Sequence, residues 1–270
     1  MKNISPTPLR RARGFTLVEV MISMTIVVAV LGMAMSTFLF GLRTMYKDTV
    51  RLQTNASLRF FTSQMSKETV DASEFYLFAD YTKLDGSVDI DDTDGATDMA
   101  APADDGNGTN IAHGDCIVLV TRTSLATGSL VRSFRIYYRV AKTADVSCSA
   151  PIRYYESQDY GTSGTATALG SLLNAVNLST NTSNYVKTGT TITSTSSWAR
   201  TGDTNRLITT TAKGKQIGTT TTYYPVFCSE ASTITATNES FSVNVEFING
   251  NSAINMLSSS SFNYTVSPRR

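Results

Sequence analysis

From Phe15 to Leu42 the chain is almost unbroken apolar sequence, FTLVEVMISMTIVVAVLGMAMSTFLFGL, with Glu19 its only charged residue. About 20 apolar residues cross a bilayer as a helix, so residues 15–42 predict a spanning helix. No glycine or proline occurs between Gly41 and Gly86, which leaves residues 43–74 free to continue it. Met45, Thr49, Leu52, Ala56, Phe60, Phe61, Met65, Thr69 and Ala72 recur there at steps of three or four, the spacing of a helix face. The stripe predicts an amphipathic helix packed on its own domain rather than one reserved for a partner. Residues 15–72 would form one helix of about 85 Å.

Residues 75–270 read as β. Ile117–Val120 is a short continuous apolar run, as in a buried central strand. Phe134, Ile136, Tyr138 and Val140 alternate with polar or tyrosine positions, as do Phe241, Val243, Val245 and Phe247, and Phe262, Tyr264 and Val266. Period two predicts half-buried strands, one face on a core and one in water. Shorter candidate strands are 75–81, 153–155, 207–211 and 223–228. Residues 157–222 are rich in Thr, Ser, Gly and Asn; that composition predicts long surface loops, with Leu169, Leu172, Leu173 and Val176 forming one short helix. The fold class expected is α+β: a long N-terminal helix, hydrophobic in its first half, packed on an antiparallel sheet.

Composition narrows the function. A net charge of +1 over 270 residues lacks the basic excess of a nucleic-acid binder. One histidine and three cysteines leave little material for a zinc site or a histidine-based active site. No G-x-x-x-x-G-K-[ST] is present, which excludes a P-loop ATPase. A structural protein, not an enzyme, is expected, with no cofactor. The balanced charge also hides a basic start: Lys2, Arg10, Arg11 and Arg13 stand in the first 14 residues, with no acid. Basic residues before a spanning segment favour a cytoplasmic N-terminus. The apolar stretch is too long for a secretory signal, and no clean cleavage site follows it.

Glu19 is the anomaly of that segment. A carboxylate costs about 2.5–3.5 kcal/mol at the bilayer centre and less near its surface. It is either a tolerated interfacial residue or one that meets a positive charge inside an assembly. Its neighbours decide. Arg11-Ala12-Arg13-Gly14, then Phe15-Thr16-Leu17-Val18-Glu19-Val20 and the apolar run, resemble the N-terminal signal of type IV pilins and type II secretion pseudopilins. The resemblance spans about residues 10–42. It implies that a membrane-embedded prepilin peptidase cuts between Gly14 and Phe15, that Phe15 is N-methylated, and that Glu19 pairs with the N-terminal ammonium of a neighbouring subunit. It also implies 1–14 as the leader, a single-pass inner-membrane precursor, a periplasmic or extracellular head, and as partners other pilin or pseudopilin subunits and an assembly platform. The apolar segment lacks the helix-breaking proline usual in abundant pilins, and the chain is longer than they are. The extra length points to a low-abundance subunit, expected at or near a filament tip. The stretch from Arg51 to Met65 also resembles the large minor pilins and J-type minor pseudopilins. The rival from another class is a signal-anchored adhesin or enzyme that keeps its N-terminus.

Two further constellations stand out in the sequence. An acidic, glycine-containing loop over 85–110 includes Asp89, Asp91 and Asp94, oxygen ligands of the kind calcium takes. The calcium-loop pattern counted from Asp89 wants glycine where Asp94 stands, so a solvated acidic loop is the preferred reading. Of Cys116, Cys148 and Cys228, the last two lie at predicted strand ends and form the expected disulfide; Cys116 opens a buried strand as a packed thiol. His113 reads as a loop residue.

Overall fold

The computed structural model describes residues 14–84, 102–104, 110–124, 129–140, 150–176, 178, 186–188, 191–193, 204–214, 225–229, 240–251 and 256–268. By its internal contacts the chain divides into two units, Met1–Asp48 and Thr49–Arg270. One helix, α1 (Leu17–Asp71), contributes to both.

In the first unit, every described residue is exposed except half-buried Gly41. The exposed side chains are apolar on all sides of the helix, from Leu17 through Phe40. Such a helix needs an apolar surrounding, and α1 is long and apolar enough to cross a membrane.

In the second unit, α1 buries Val50, Thr54, Leu58, Phe61, Met65 and Thr69. This row corrects the predicted stripe. Phe61, Met65, Thr69 and Ala72 are buried, but Met45, Leu52 and Phe60 are 68%, 69% and 54% exposed. Two rows of three-and-four spacing run side by side on this helix, and periodicity alone cannot say which turns inward. The row chosen is the one that sets Phe61 against Tyr137 and Phe247, with ring centroids 5.7 and 5.6 Å apart. Thr54 and Thr69 sit in that buried row because each hydroxyl donates to the carbonyl four residues back, at 2.8 Å.

The sheet comprises β1 (Glu74–Phe78), β2 (Pro102–Asp104), β3 (Asn110–Gly114), β4 (Cys116–Arg122), β5 (Val131–Arg139), β6 (Ala150–Glu156), β9 (Thr204–Gly214), β10 (Phe227–Ser229), β11 (Phe241–Asn251) and β12 (Met256–Val266). Its order is β1-β4-β5-β6-β9-β11-β10-β3-β2, with β12 also on β11, and each of these pairings is antiparallel. A separate hairpin joins β7 (Val186–Thr188) to β8 (Thr191–Thr193). The architecture is therefore α+β, a long N-terminal helix and an antiparallel sheet. Within residues 157–222, expected to be largely loops, the candidate strand 207–211 forms the longer β9, which lies between β6 and β11. Its threonines are β-branched and fit a strand. The predicted helix in that stretch is α2 (Leu169–Val176).

The strands of the middle of the sheet are buried on both faces, not on one. Phe75, Leu77, Ile117, Leu119, Tyr137 and Tyr154 pack with Leu58, Phe61 and Met65 of α1. The alternate residues, among them Tyr76, Phe78, Val118, Phe134, Ile136 and Tyr138, pack with Leu169, Leu172, Leu173 and Val176 of α2. The row of β5 expected to face water, with Arg135 and Tyr137, faces α1 instead, and the apolar row of Phe134, Ile136 and Tyr138 is covered by α2. Fully burying one such side chain contributes about 1.5–3 kcal/mol.

Polar contacts fix the register of α1 on the sheet. Glu68 accepts from the Tyr137 hydroxyl at 2.6 Å, the Tyr154 hydroxyl at 2.9 Å and Gln64 Nε2 at 2.8 Å. Arg135 Nε lies 3.9 Å from the same carboxylate. Asn249 Nδ2 donates to Thr54 Oγ1 at 3.1 Å. Burial and the adjacent Glu68 charge push the Tyr137 hydroxyl well above its usual range, so it stays a donor.

A buried ion pair joins distant parts of the sheet. Arg139 Nη2 donates to Asp115 Oδ2 at 2.5 Å, and the Val226 amide donates to Asp115 Oδ1 at 3.0 Å. The Asp115 amide donates to Ala79 O at 2.9 Å. Burial raises the Asp115 carboxyl to about 6 against the opposing pull of Arg139.

Candidate processing and assembly site

The residues singled out at the N-terminus fall within six positions of the first unit. Phe15 is 86% exposed, and Gly14 has open space where a side chain would stand. The helix begins just beyond them because Thr16 caps it. The Glu19 amide donates to Thr16 Oγ1 at 3.3 Å, and Glu19 Oε2 accepts from the Thr16 amide at 3.1 Å and the Thr16 hydroxyl at 3.2 Å. The Val20 amide donates to Thr16 O at 3.2 Å. This is a reciprocal capping box, in which two otherwise unsatisfied backbone donors are satisfied at once.

The arrangement serves the carboxylate as well as the helix. A negative charge in the first turn is favoured by the helix dipole, by about 0.3–1 kcal/mol at an exposed site. Two hydrogen bonds hold it there, one turn from the Gly14–Phe15 bond. A positive charge presented at this end of the helix would find an acceptor already oriented. Thr16 is not among the residues that the sequence singles out by charge or spacing, although it carries a signal: T-x-x-E directly before an apolar run.

The remaining predicted residues are elsewhere. Cys228 is buried on β10, where Asn244 Nδ2 lies 3.6 Å from its sulfur. Cys148 lies outside the described residues, as do Asp89, Asp91 and Asp94. Cys116 is fully buried on β4, and burial pushes its thiol up. His113 is half-buried on β3, not in a loop; it is placed opposite Cys228 by strand pairing. Among the described residues no group of three or more His, Cys, Asp or Glu side chains could hold a metal.

Residues 9–35, which contain the cap and the start of the apolar run, match the family model of the prokaryotic N-terminal methylation motif. The chain carries the prepilin-type motif. No curated protein and no solved structure matches the chain. The motif supports a pilin or pseudopilin processed by prepilin peptidase, a structural rather than a catalytic protein. With the apolar helix, it is consistent with a membrane-anchored precursor.

Proposed function

We propose that this chain is a minor pilin or minor pseudopilin, incorporated at or near the tip of a type IV pilus or a type II secretion pseudopilus. The observation that carries the reading is the methylation motif over residues 9–35 with Glu19 held at the helix start by Thr16. Prepilin peptidase cuts between Gly14 and Phe15, and Phe15 becomes the methylated N-terminus. The precursor sits in the bacterial inner membrane with residues 1–14 in the cytoplasm and residues 43–270 outside. The assembly platform then extracts the subunit into the filament.

The chemistry of assembly follows from charge. Cleavage creates an ammonium on Phe15. In an apolar helix bundle, a lone ammonium or a lone carboxylate costs several kcal/mol. Glu19 of one subunit neutralises the ammonium of its neighbour, so subunits that lack either group are disfavoured. No cofactor takes part.

Mass spectrometry of the mature N-terminus tests this. A chain beginning at methylated Phe15 is the expected result. A mature chain that retains Met1 would overturn the reading and favour a signal-anchored protein.

A further inference from the structure

Among the described residues the ten-stranded sheet has three outer strands, and they differ in kind. β2 is three residues long and contains Pro102 and Asp104. β1 is five residues long and carries Glu74, whose carboxylate is 2.6 Å from Arg122. β12 is eleven residues long, MLSSSSFNYTV, with no charge and no proline. It pairs with β11 without a break from Phe241↔Val266 to Asn251↔Met256. Among the described residues, nothing pairs with its other side.

An open row of backbone N–H and C=O groups is a template for another strand. Proteins blunt such edges with short strands, proline or charge. Two of the three edges here are blunted and the longest is not. Phe262 is 41% exposed, in the row of β12 that includes Tyr264 and Val266; Ser259, Ser261, Asn263 and Thr265 alternate with it, exposed.

We propose that the open edge of β12 binds an extended segment of a different polypeptide as an additional strand. That segment alternates apolar residues, placed over Phe262 and Tyr264, with polar ones beside Ser261 and Asn263. A second copy of this chain fits less well. Antiparallel β12–β12 pairing about a two-fold axis normal to the sheet would reverse residues 49–71 of α1 in one copy. The proposed function, on which this step rests, needs all copies to run the same way from one membrane. Parallel pairing about an axis along the strand would set the Phe262 row against the Ser261 row. Pairing with β1 or β2 of a second copy meets a short, charged edge.

The test uses the full chain in the cells that produce it, with a photo-crosslinking amino acid at position 259, 261 or 263. The expected result is adducts with one segment of another polypeptide, at residues stepping by two as the position steps by two. Adding Ser261→Lys should abolish the adducts from 259 and 263. Adducts confined to a second copy, adducts scattered without the two-residue step, or none at all would overturn the proposal. Mass spectrometry of the N-terminus in the same sample separates the two readings. A chain starting at methylated Phe15 without the ladder refutes strand addition alone. A ladder on a chain that keeps Met1 refutes the pilin reading, and with it the argument against a second copy.

Discussion

Thr16 and Glu19 complete each other's hydrogen bonding: the threonine amide and hydroxyl donate to one carboxylate oxygen, and the Glu19 amide donates back to the threonine hydroxyl. The acidic residue that the membrane should resist is thereby a cap as well as a charge, and the two roles can be separated. Glutamine serves in a capping box as glutamate does, but carries no charge.

Glu19→Gln should therefore keep the helix start and lose the ion pair, while Glu19→Ala loses both. Both variants are expected to be inserted and cleaved, because the Gly14–Phe15 bond is unchanged, and both should be depleted from the sheared filament fraction. Normal incorporation of Glu19→Gln alongside failure of Glu19→Ala would show that capping, not charge pairing, is the role of this residue.

Gly114 lies against the backbone of Phe78. A Cβ there would stand 2.0 Å from the Phe78 carbonyl oxygen, and main-chain atoms cannot swing aside as a side chain can. Gly114→Ala should lose at least about 3 kcal/mol of stability, at the upper end of overpacking effects. Denaturant unfolding of the detergent-solubilised chain checks this; a change below about 1 kcal/mol would mean that the strands separate easily.

The Tyr264 hydroxyl is buried with no hydrogen-bond partner among the described residues, and burial pushes its ionisation up. Removing an unsatisfied polar group removes its desolvation penalty, so Tyr264→Phe should raise stability by about 1 kcal/mol. A fall in the unfolding midpoint would reveal a partner for that oxygen.

Asp115 binds its proton more tightly in the fold, at about 6, than in an unfolded chain, where a carboxylate titrates at about 3.9. Its contribution to stability is thus full below its unfolded value and lost as pH rises through its folded one. The stability of the parent chain relative to Asp115→Asn should decline from pH 4 to pH 6. A flat difference would mean that Arg139 outweighs burial and keeps the carboxylate ionised throughout.

Residues 43–270 alone should be soluble and unfold in one cooperative transition, since the cores about Phe61 and Phe134 lie wholly within them. Aggregation with no transition would contradict this, and gel filtration with thermal circular dichroism decides.

The sequence showed the features that repeat over many residues. The apolar run, the alternation around Phe134 and Phe241, and the four-residue leucine pattern of α2 each carry a period that matches one geometry. The inward row of α1 was only half legible, because Leu52 and Phe60 are as apolar as Leu58 and Phe61 and only the sheet distinguishes them. A short strand such as β3 shows no period, so His113 reads as loop, whereas the candidate strand 223–228 overlaps β10. Strand order was not legible: pairing of β6 with β9 and of β3 with β10 depends on shape over long separations. At the candidate site, the glycine, phenylalanine and glutamate stood out by type and spacing, while Thr16 looked ordinary until its hydrogen bonds were seen.

The order of the strands also sets a timetable. β2 and β3 precede β4 in the chain, yet their place in the sheet is beyond β10, so residue 113 waits for residue 228 before it has a neighbour on that side. β6 likewise waits for β9, and β9 for β11. Closing such separations is entropically unfavourable and slow. A ribosome delivering this polypeptide from its N-terminus has made nearly all of it before the sheet can close. Topology alone thereby postpones closure of the sheet to the last stretch of synthesis.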